Sequence, residues 1–349
     1  MWIRRLTLFA VLLACGVVAL GAYTRLQDAG LGCPDWPGCY GHLVVPESHD
    51  AVHRANSAYP ERPLEPEKAW AEMVHRYFAS TLGLVIVVIS VLCLRARKTD
   101  PQTPVKLPLA LTALVIFQGL LGMWTVTLGL FPTVVMAHLL GGFTTISLLF
   151  LLALRVHFPA SASTQGTTTS PRIATSPLMK WAMGGILILA LQIALGGWTA
   201  ANYAARVCSE LPICQAGWSQ HVNIQDAFRL WGHDLDEHGL DDYEFASHLG
   251  ADAKITIHAA HRIGAIVTTL YLAGLFVWLW LRRDVSGASK RIAVGALLVL
   301  LGQVSLGVSN VVFDLPLAVA VAHNGVAALL MMFLIMLTFS LYHAGSRRP

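Results

Sequence analysis

The sequence predicts an all-α integral membrane protein, its eight transmembrane helices forming two four-helix bundles related by a pseudo-two-fold axis along the membrane normal. Three observations predict it. Of 349 residues, 55% are hydrophobic and 13% charged, a balance foreign to a soluble domain of this length. Eight apolar runs reach the roughly 20 residues needed to cross a bilayer. The features of residues 1–160 recur, in the same order, in residues 178–349.

The runs cover about 6 to 24, 73 to 94, 107 to 127, 134 to 154, 181 to 201, 257 to 281, 292 to 311 and 317 to 342. An even number places both termini on one side. The segments sharing that side, from Arg4 and Arg5 to Arg347 and Arg348, carry 15 Lys and Arg, against seven in the opposite loops. Because Lys and Arg accumulate in cytoplasmic loops, both ends are expected in the cytoplasm. The loops at about 25 to 70 and 202 to 255 then face outward. The net charge of +4 comes from helix-end residues that anchor to headgroups. It gives no reason to expect nucleic acid; the expected partner is the lipid bilayer.

The first run follows Trp2, Arg4 and Arg5 and has the outline of a cleavable signal peptide. An internal duplicate argues that it is a retained helix. Leu20-Gly21-Ala22-Tyr23-Thr24 recurs as Leu195-Gly196-Gly197-Trp198-Thr199, and Cys33 and Cys39 recur as Cys208 and Cys214, all at an offset of 175. His75-Arg76 recurs as His261-Arg262 at offset 186, and Gln118, Gly122 and Ala137-His138 recur as Gln303, Gly307 and Ala322-His323 at offset 185. Each half has an even number of spans, so the repeat is parallel and its axis stands along the membrane normal. Residues 161–177, rich in Ser, Thr, Pro, Ala and Gly, read as a cytoplasmic linker.

Ionisable groups inside a bilayer are costly and are candidates for function. The fourth span carries His138 and the eighth His323; the second opens with Glu72-Met-Val-His75-Arg76 and the sixth with His258-Ala-Ala-His261-Arg262. Spans two and four run in the same direction, which brings His75 and His138 to one depth, and likewise His261 and His323. Two imidazoles opposed across a bundle are what bis-histidine heme ligation needs. A histidine hydrogen-bonded to a neighbouring helix is the plainer alternative for any one of them, and the duplication favours ligation. Arg76 and Arg262 follow a candidate ligand at the outer boundary, where they can pair with heme propionates or snorkel to headgroups. Glu72 sits three residues before His75 on the same helical face, and its counterpart is His258. That break in symmetry assigns chemistry to the first half and a permanent heme to the second; the alternative is that Glu72 caps the helix.

In an oxidising compartment Cys33 with Cys39, and Cys208 with Cys214, can close short disulfides or serve as a redox relay. Cys15 and Cys93 read as apolar packing residues. The polar stretch Trp231 to His238 reads as a solvated loop rather than a cation site.

Taken together, the duplicated eight-span layout, Cys33-Pro-Asp-Trp-Pro-Gly-Cys39, Glu72-Met-Val-His75-Arg76, His138, Cys208 to Cys214, His261-Arg262 and His323 resemble the heme A synthase family across the whole chain. The resemblance implies oxidation of a heme O methyl to the formyl of heme A, for cytochrome oxidase assembly, in a bacterial inner membrane. By the same likeness His75 and His138, with Arg76, hold the substrate heme and Glu72 is catalytic. His261 and His323 then ligate a cofactor heme b, near Arg262, that relays electrons to an unidentified acceptor. Heme O synthase is the implied supplier of substrate, and assembly as a homo-oligomer is left open. Two rival classes remain: a quinone-linked di-heme b-type electron-transfer protein, which leaves both hemes unchanged, and a periplasm-facing thiol-disulfide exchanger, which needs no intramembrane histidine.

Overall fold

The computed structural model describes residues 2–158, 177–231 and 249–345. The linker before Pro177, the polar stretch from His233 to His238 and the basic pair Arg347 and Arg348 lie outside the described residues. In chain order the helices are α1 (Trp2–Leu26), α2 (His49–Ala58), α3 (Pro66–Arg97), α4 (Lys106–Thr127), α5 (Pro132–His157), α6 (Pro177–Ala201), α7 (Ile224–Ala227), α8 (Ala251–Leu281), α9 (Gly287–Val312) and α10 (Leu317–Gly345). All but α2 and α7 are long and apolar enough to cross a membrane. The two short helices lie in loops that the sequence left without structure.

Local signals set the helix ends. Pro66 and Pro132 open α3 and α5 in the first turn, where a missing N–H costs nothing. Ser286 caps α9 by accepting the Ser289 N–H. Arg95 and Arg97 close α3 at the end that favours positive charge. Four other ends share one device: the N–H groups of Ala29, Leu130, Ala204 and Leu315 reach back five residues to the carbonyls of Thr24, Thr125, Thr199 and Asn310. These are Schellman closures, which require a left-handed residue just past the helix. Asp28, Gly129, Tyr203 and Asp314 supply it at φ 53°, 56°, 51° and 54°. The four closures are two pairs at the repeat offsets of 175 and 185.

In the first half α1 packs on α3, α3 on α4, α4 on α5, and α5 back on α1; α6, α8, α9 and α10 follow the same cycle. Each half is therefore a ring of four in which α3 faces α5 diagonally, or α8 faces α10. The halves join through α1 with α10, α5 with α6, and α5 with α10. Exchanging the halves maps this set onto itself, which is compatible with a two-fold relation. Burial follows the same pattern. It is highest in α5 and α10, with 39% and 44% of the apolar stretch buried, and lowest in α4 and α9, with 17% each, so the first pair is central and the second faces lipid. One apolar core runs through both halves, from Ile86, Ile146 and Leu149 to Leu272, Phe276 and Leu330. Cys15 and Cys93 pack with it, as expected of small apolar residues.

Residues related by the duplication touch where α1 and α6 end. Arg25 Nη2 donates to the Ala200 carbonyl at 2.7 Å, and its guanidinium lies 3.9 Å from the Tyr203 ring centroid. The Tyr203 hydroxyl donates to Asp28 Oδ1 at 2.8 Å. Ala200 and Tyr203 are the duplicates of Arg25 and Asp28, so equivalent positions meet each other across the contact.

Candidate functional site

His75 projects from α3 and His138 from α5, the diagonal helices of the first ring. Their ring centroids are 6.5 Å apart with the planes turned by 83°. Two metal–imidazole bonds of about 2 Å each, with half a ring at either end, give roughly 6 Å. The spacing fits a shared iron. His261 and His323 hold the same positions on α8 and α10.

The side walls yield space to these rings. A Cβ on Gly21 of α1 would stand 3.0 Å from His75 Cε1, and one on Gly196 of α6 would stand 3.0 Å from His261 Cε1. On the opposite walls, Gly122 and Gly307 would meet His138 and His323 at 3.4 and 3.2 Å. A side chain at Gly21, Gly196 or Gly307 would press on its imidazole, whereas one at Gly122 would come to ordinary contact with His138.

Glutamines hold three of the four rings. With its amide turned to donate, Gln118 on α4 reaches His138 Nδ1 at 2.9 Å and the His138 carbonyl at 3.1 Å. Gln192 on α6 makes the same fork to His261, with Nε2 at 3.0 Å from both Nδ1 and the carbonyl oxygen. The Gln303 amide lies 3.2 Å from His323 Nε2. His75 differs. It has no glutamine; its Nδ1, like that of His323, is buried without a hydrogen bond of ordinary geometry, and the wall beside it offers the Val17 backbone.

Glu72 is 5% exposed. Its Oε2 accepts the Cys33 N–H at 2.9 Å and its Oε1 accepts from Arg76 Nη2 at 2.5 Å. The N-cap of α3 is Glu65, so Glu72 lies well inside the helix and does not cap it. A buried carboxylate without partners would be costly, and here the first outer loop supplies them. Arg76 also donates to the carbonyls of Asp35 at 3.1 Å, Pro37 at 3.3 Å, and Gly38. The loop between Cys33 and Cys39, closed by a disulfide, thus wraps one guanidinium.

The second half repeats the arrangement with an imidazole in place of the carboxylate. Arg262 Nε donates to His258 Nε2 at 3.1 Å, while its terminal nitrogens donate to the carbonyls of Glu210 at 2.5 Å, Ile213 at 2.9 Å, and Cys208. A disulfide joins Cys208 and Cys214. Both arginines, read from sequence as candidates for heme propionates, direct these donors at loop carbonyls. The loops also hold Tyr40, whose hydroxyl donates to the Arg62 carbonyl at 3.0 Å. Burial, opposed by the Arg62 charge, pushes its pKa up to about 12, so it stays protonated. Among the described residues no group of three or more His, Cys, Asp and Glu gathers to hold a metal ion by itself. The chemistry available is that of paired imidazoles with one carboxylate.

Sequence reasoning registered Gln118 and Gln303 as repeated positions without a role, and passed over Gln192. A lone polar residue in an otherwise apolar span is the signal that finds them.

Residues 4–335 match the family model described as cytochrome oxidase assembly protein, COX15-CtaA. The chain belongs to the COX15-CtaA family. The match takes in the paired histidines, both loop disulfides and Glu72. A heme A synthase of Shewanella oneidensis is 48% identical over 347 residues, covering 99% of this chain and 97% of that protein. Heme A synthases of Caulobacter vibrioides and Shouchella clausii are 27% and 24% identical, covering 90% and 94% of this chain and 89% and 93% of theirs. With eight apolar helices and bacterial relatives of full length, this COX15-CtaA chain is a multi-pass bacterial membrane protein.

Proposed function

We propose that the chain is a heme A synthase, an oxidoreductase that converts a methyl group of heme O into the formyl group of heme A. The observation that carries the reading is a buried carboxylate, Glu72, one helical turn from an imidazole pair at iron-ligating separation. The family and the 48% identical relative support it.

In this reading residues 1–160 form the substrate half and residues 178–349 the cofactor half, joined by a linker at 161–177 and with both termini cytoplasmic. His75 and His138 hold heme O, while His261 and His323 hold heme b. Arg76 and Arg262 stand at the outer ends of α3 and α8, where they would face heme propionates. Bound there, heme b supplies the one-electron chemistry by which electrons taken from the methyl leave the protein toward an acceptor. With oxygen taken from water, the substrate methyl is hydroxylated twice, giving up two electrons and two protons each time, and the resulting geminal diol loses one water to leave the formyl group. Glu72, fixed by the Cys33 N–H and Arg76 rather than by mobile water, takes the methyl proton or stabilises positive charge there. Substrate arrives from a heme O synthase.

The thiol-disulfide alternative is disfavoured by access. Cys33 and Cys39 are fully buried, and Cys208 and Cys214 are 2% and 8% exposed, which leaves a partner thiolate little access.

The test is to express wild type and Glu72→Ala with heme O available, then identify the extracted hemes by mass. Wild type is expected to yield heme b with heme A, and Glu72→Ala heme b with heme O. Normal heme A from Glu72→Ala overturns the role of Glu72. Unmodified hemes from wild type overturn the enzyme reading in favour of a di-heme relay.

A further inference from the structure

The two sites differ in how firmly each first histidine is held. On α6, Gln192 forks to Nδ1 and the carbonyl of His261. A Cβ on Gly264, three residues after His261, would overlap the Gln192 Oε1, so the glycine is what lets the amide in. At the repeat offsets of 175 and 186 the first half has Val17 and Phe78 in place of Gln192 and Gly264. Both members of the device are replaced together. His75 Nδ1 is left buried without a regular partner, whereas its duplicate His261 has Gln192; on the second histidines Gln118 reaches His138 Nδ1, while Gln303 reaches His323 Nε2 and leaves His323 Nδ1 without a partner. The second site therefore has a glutamine on each histidine, and the first site on one.

From this we infer that Gln192 is a positioning residue that makes the second site retain its heme, and that Val17 and Phe78 leave the first site free to exchange substrate for product. The inference rests on the heme-ligating reading of His261 and His323. A hydrogen bond to one ring nitrogen fixes the rotation of an imidazole and leaves the other nitrogen aimed at the metal. With iron on Nε2, Nδ1 carries the proton and needs an acceptor. Gln192 Oε1 is buried without a partner and becomes that acceptor when the amide turns over, exchanging its bond to the His261 carbonyl for one from the ring. The bond also raises ligand basicity, which favours ferric over ferrous iron. The Val17 side chain offers neither effect, and its backbone meets His75 without ordinary hydrogen-bond geometry.

The test compares Gln192→Val, which copies the first half, with Gln192→Glu, which keeps an acceptor. Heme b per chain is measured after identical detergent purification, together with the reduction potential of the heme b that remains. Gln192→Val is expected to retain heme b about 10- to 100-fold less tightly and to give a more positive potential. Gln192→Glu is expected to restore retention and move the potential negative of wild type, opposite shifts that mere packing does not produce. Unchanged retention and potential in Gln192→Val, or shifts of the same sign in both variants, overturn the inference. His261→Ala separates the two levels of the argument: loss of heme b supports ligation whatever Gln192 does, and an unaltered heme b spectrum removes the site itself.

Discussion

Glu72 Oε2 accepts the backbone N–H of Cys33 at 2.9 Å, fastening a carboxylate of α3 to the first residue of a disulfide-closed outer loop. The other oxygen is held by Arg76, whose remaining donors grip carbonyls of that same loop. Loop, guanidinium and carboxylate form one unit. Its geometry depends on a covalent link that lies outside the helices.

Opening that loop should therefore damage chemistry before it damages binding. The disulfide spans six residues, a closure worth about 2 kcal/mol in the chain-entropy account. Cys33→Ser with Cys39→Ser is expected to keep both hemes but to slow formation of heme A at least tenfold. Cys208→Ser with Cys214→Ser is expected to lower heme b content instead, because its loop holds Arg262, which in turn donates to His258. Extracted heme species and heme per chain, read together, check both outcomes.

Gly21 and Gly196 give a second separation of the halves. Replacing either with Val places branched methyl groups where a Cβ alone already comes to 3.0 Å from an imidazole carbon, and overpacking of this kind costs about 1–3 kcal/mol. Gly196→Val should lose heme b. Gly21→Val should keep heme b and fail to bind heme O. Absorption spectra of the two purified variants, followed by heme extraction, distinguish the patterns.

Arg25 and Tyr203 clasp the two halves at the ends of α1 and α6. Arg25→Ala removes a hydrogen bond and a stacked cation, a loss of about 1–2 kcal/mol, and is expected to lower the melting temperature of the purified protein. Burial raises the Tyr203 pKa. A phenol whose pKa is raised on folding contributes stability fully below its ordinary value near 10, and that contribution fades as pH rises through the folded value. The difference in melting temperature between wild type and Tyr203→Phe should therefore be constant through neutral pH and shrink only in alkali. A difference that changes between pH 6 and 8 contradicts the assignment.

Much of the site was legible because it is duplicated. A single histidine in an apolar span is ambiguous, but His75 with His261 and His138 with His323, at nearly constant offsets, mark positions rather than accidents. Spans were legible because a bilayer demands long uninterrupted apolar helices, and the Cys spacing was legible because it recurs unchanged at 175. The partners of Arg76 and Arg262 were not. Their hydrogen bonds run to backbone carbonyls, which every residue carries, so no pattern of side chains announces them. Gln192 was missed for a related reason: its partner lies 69 residues away on α8, and only the first half's Val17 and Phe78, compared position by position, show what it replaces.

Sequence alone thus determined eight helices, two halves and the residue types able to grip iron, because hydropathy, charge and repetition act along the chain. Tertiary structure decided which wall each histidine leans on, what holds Glu72, and that Arg25 meets the duplicate of Asp28. Those are short-range contacts between helices distant in sequence, and their geometry exists only after the rings have closed.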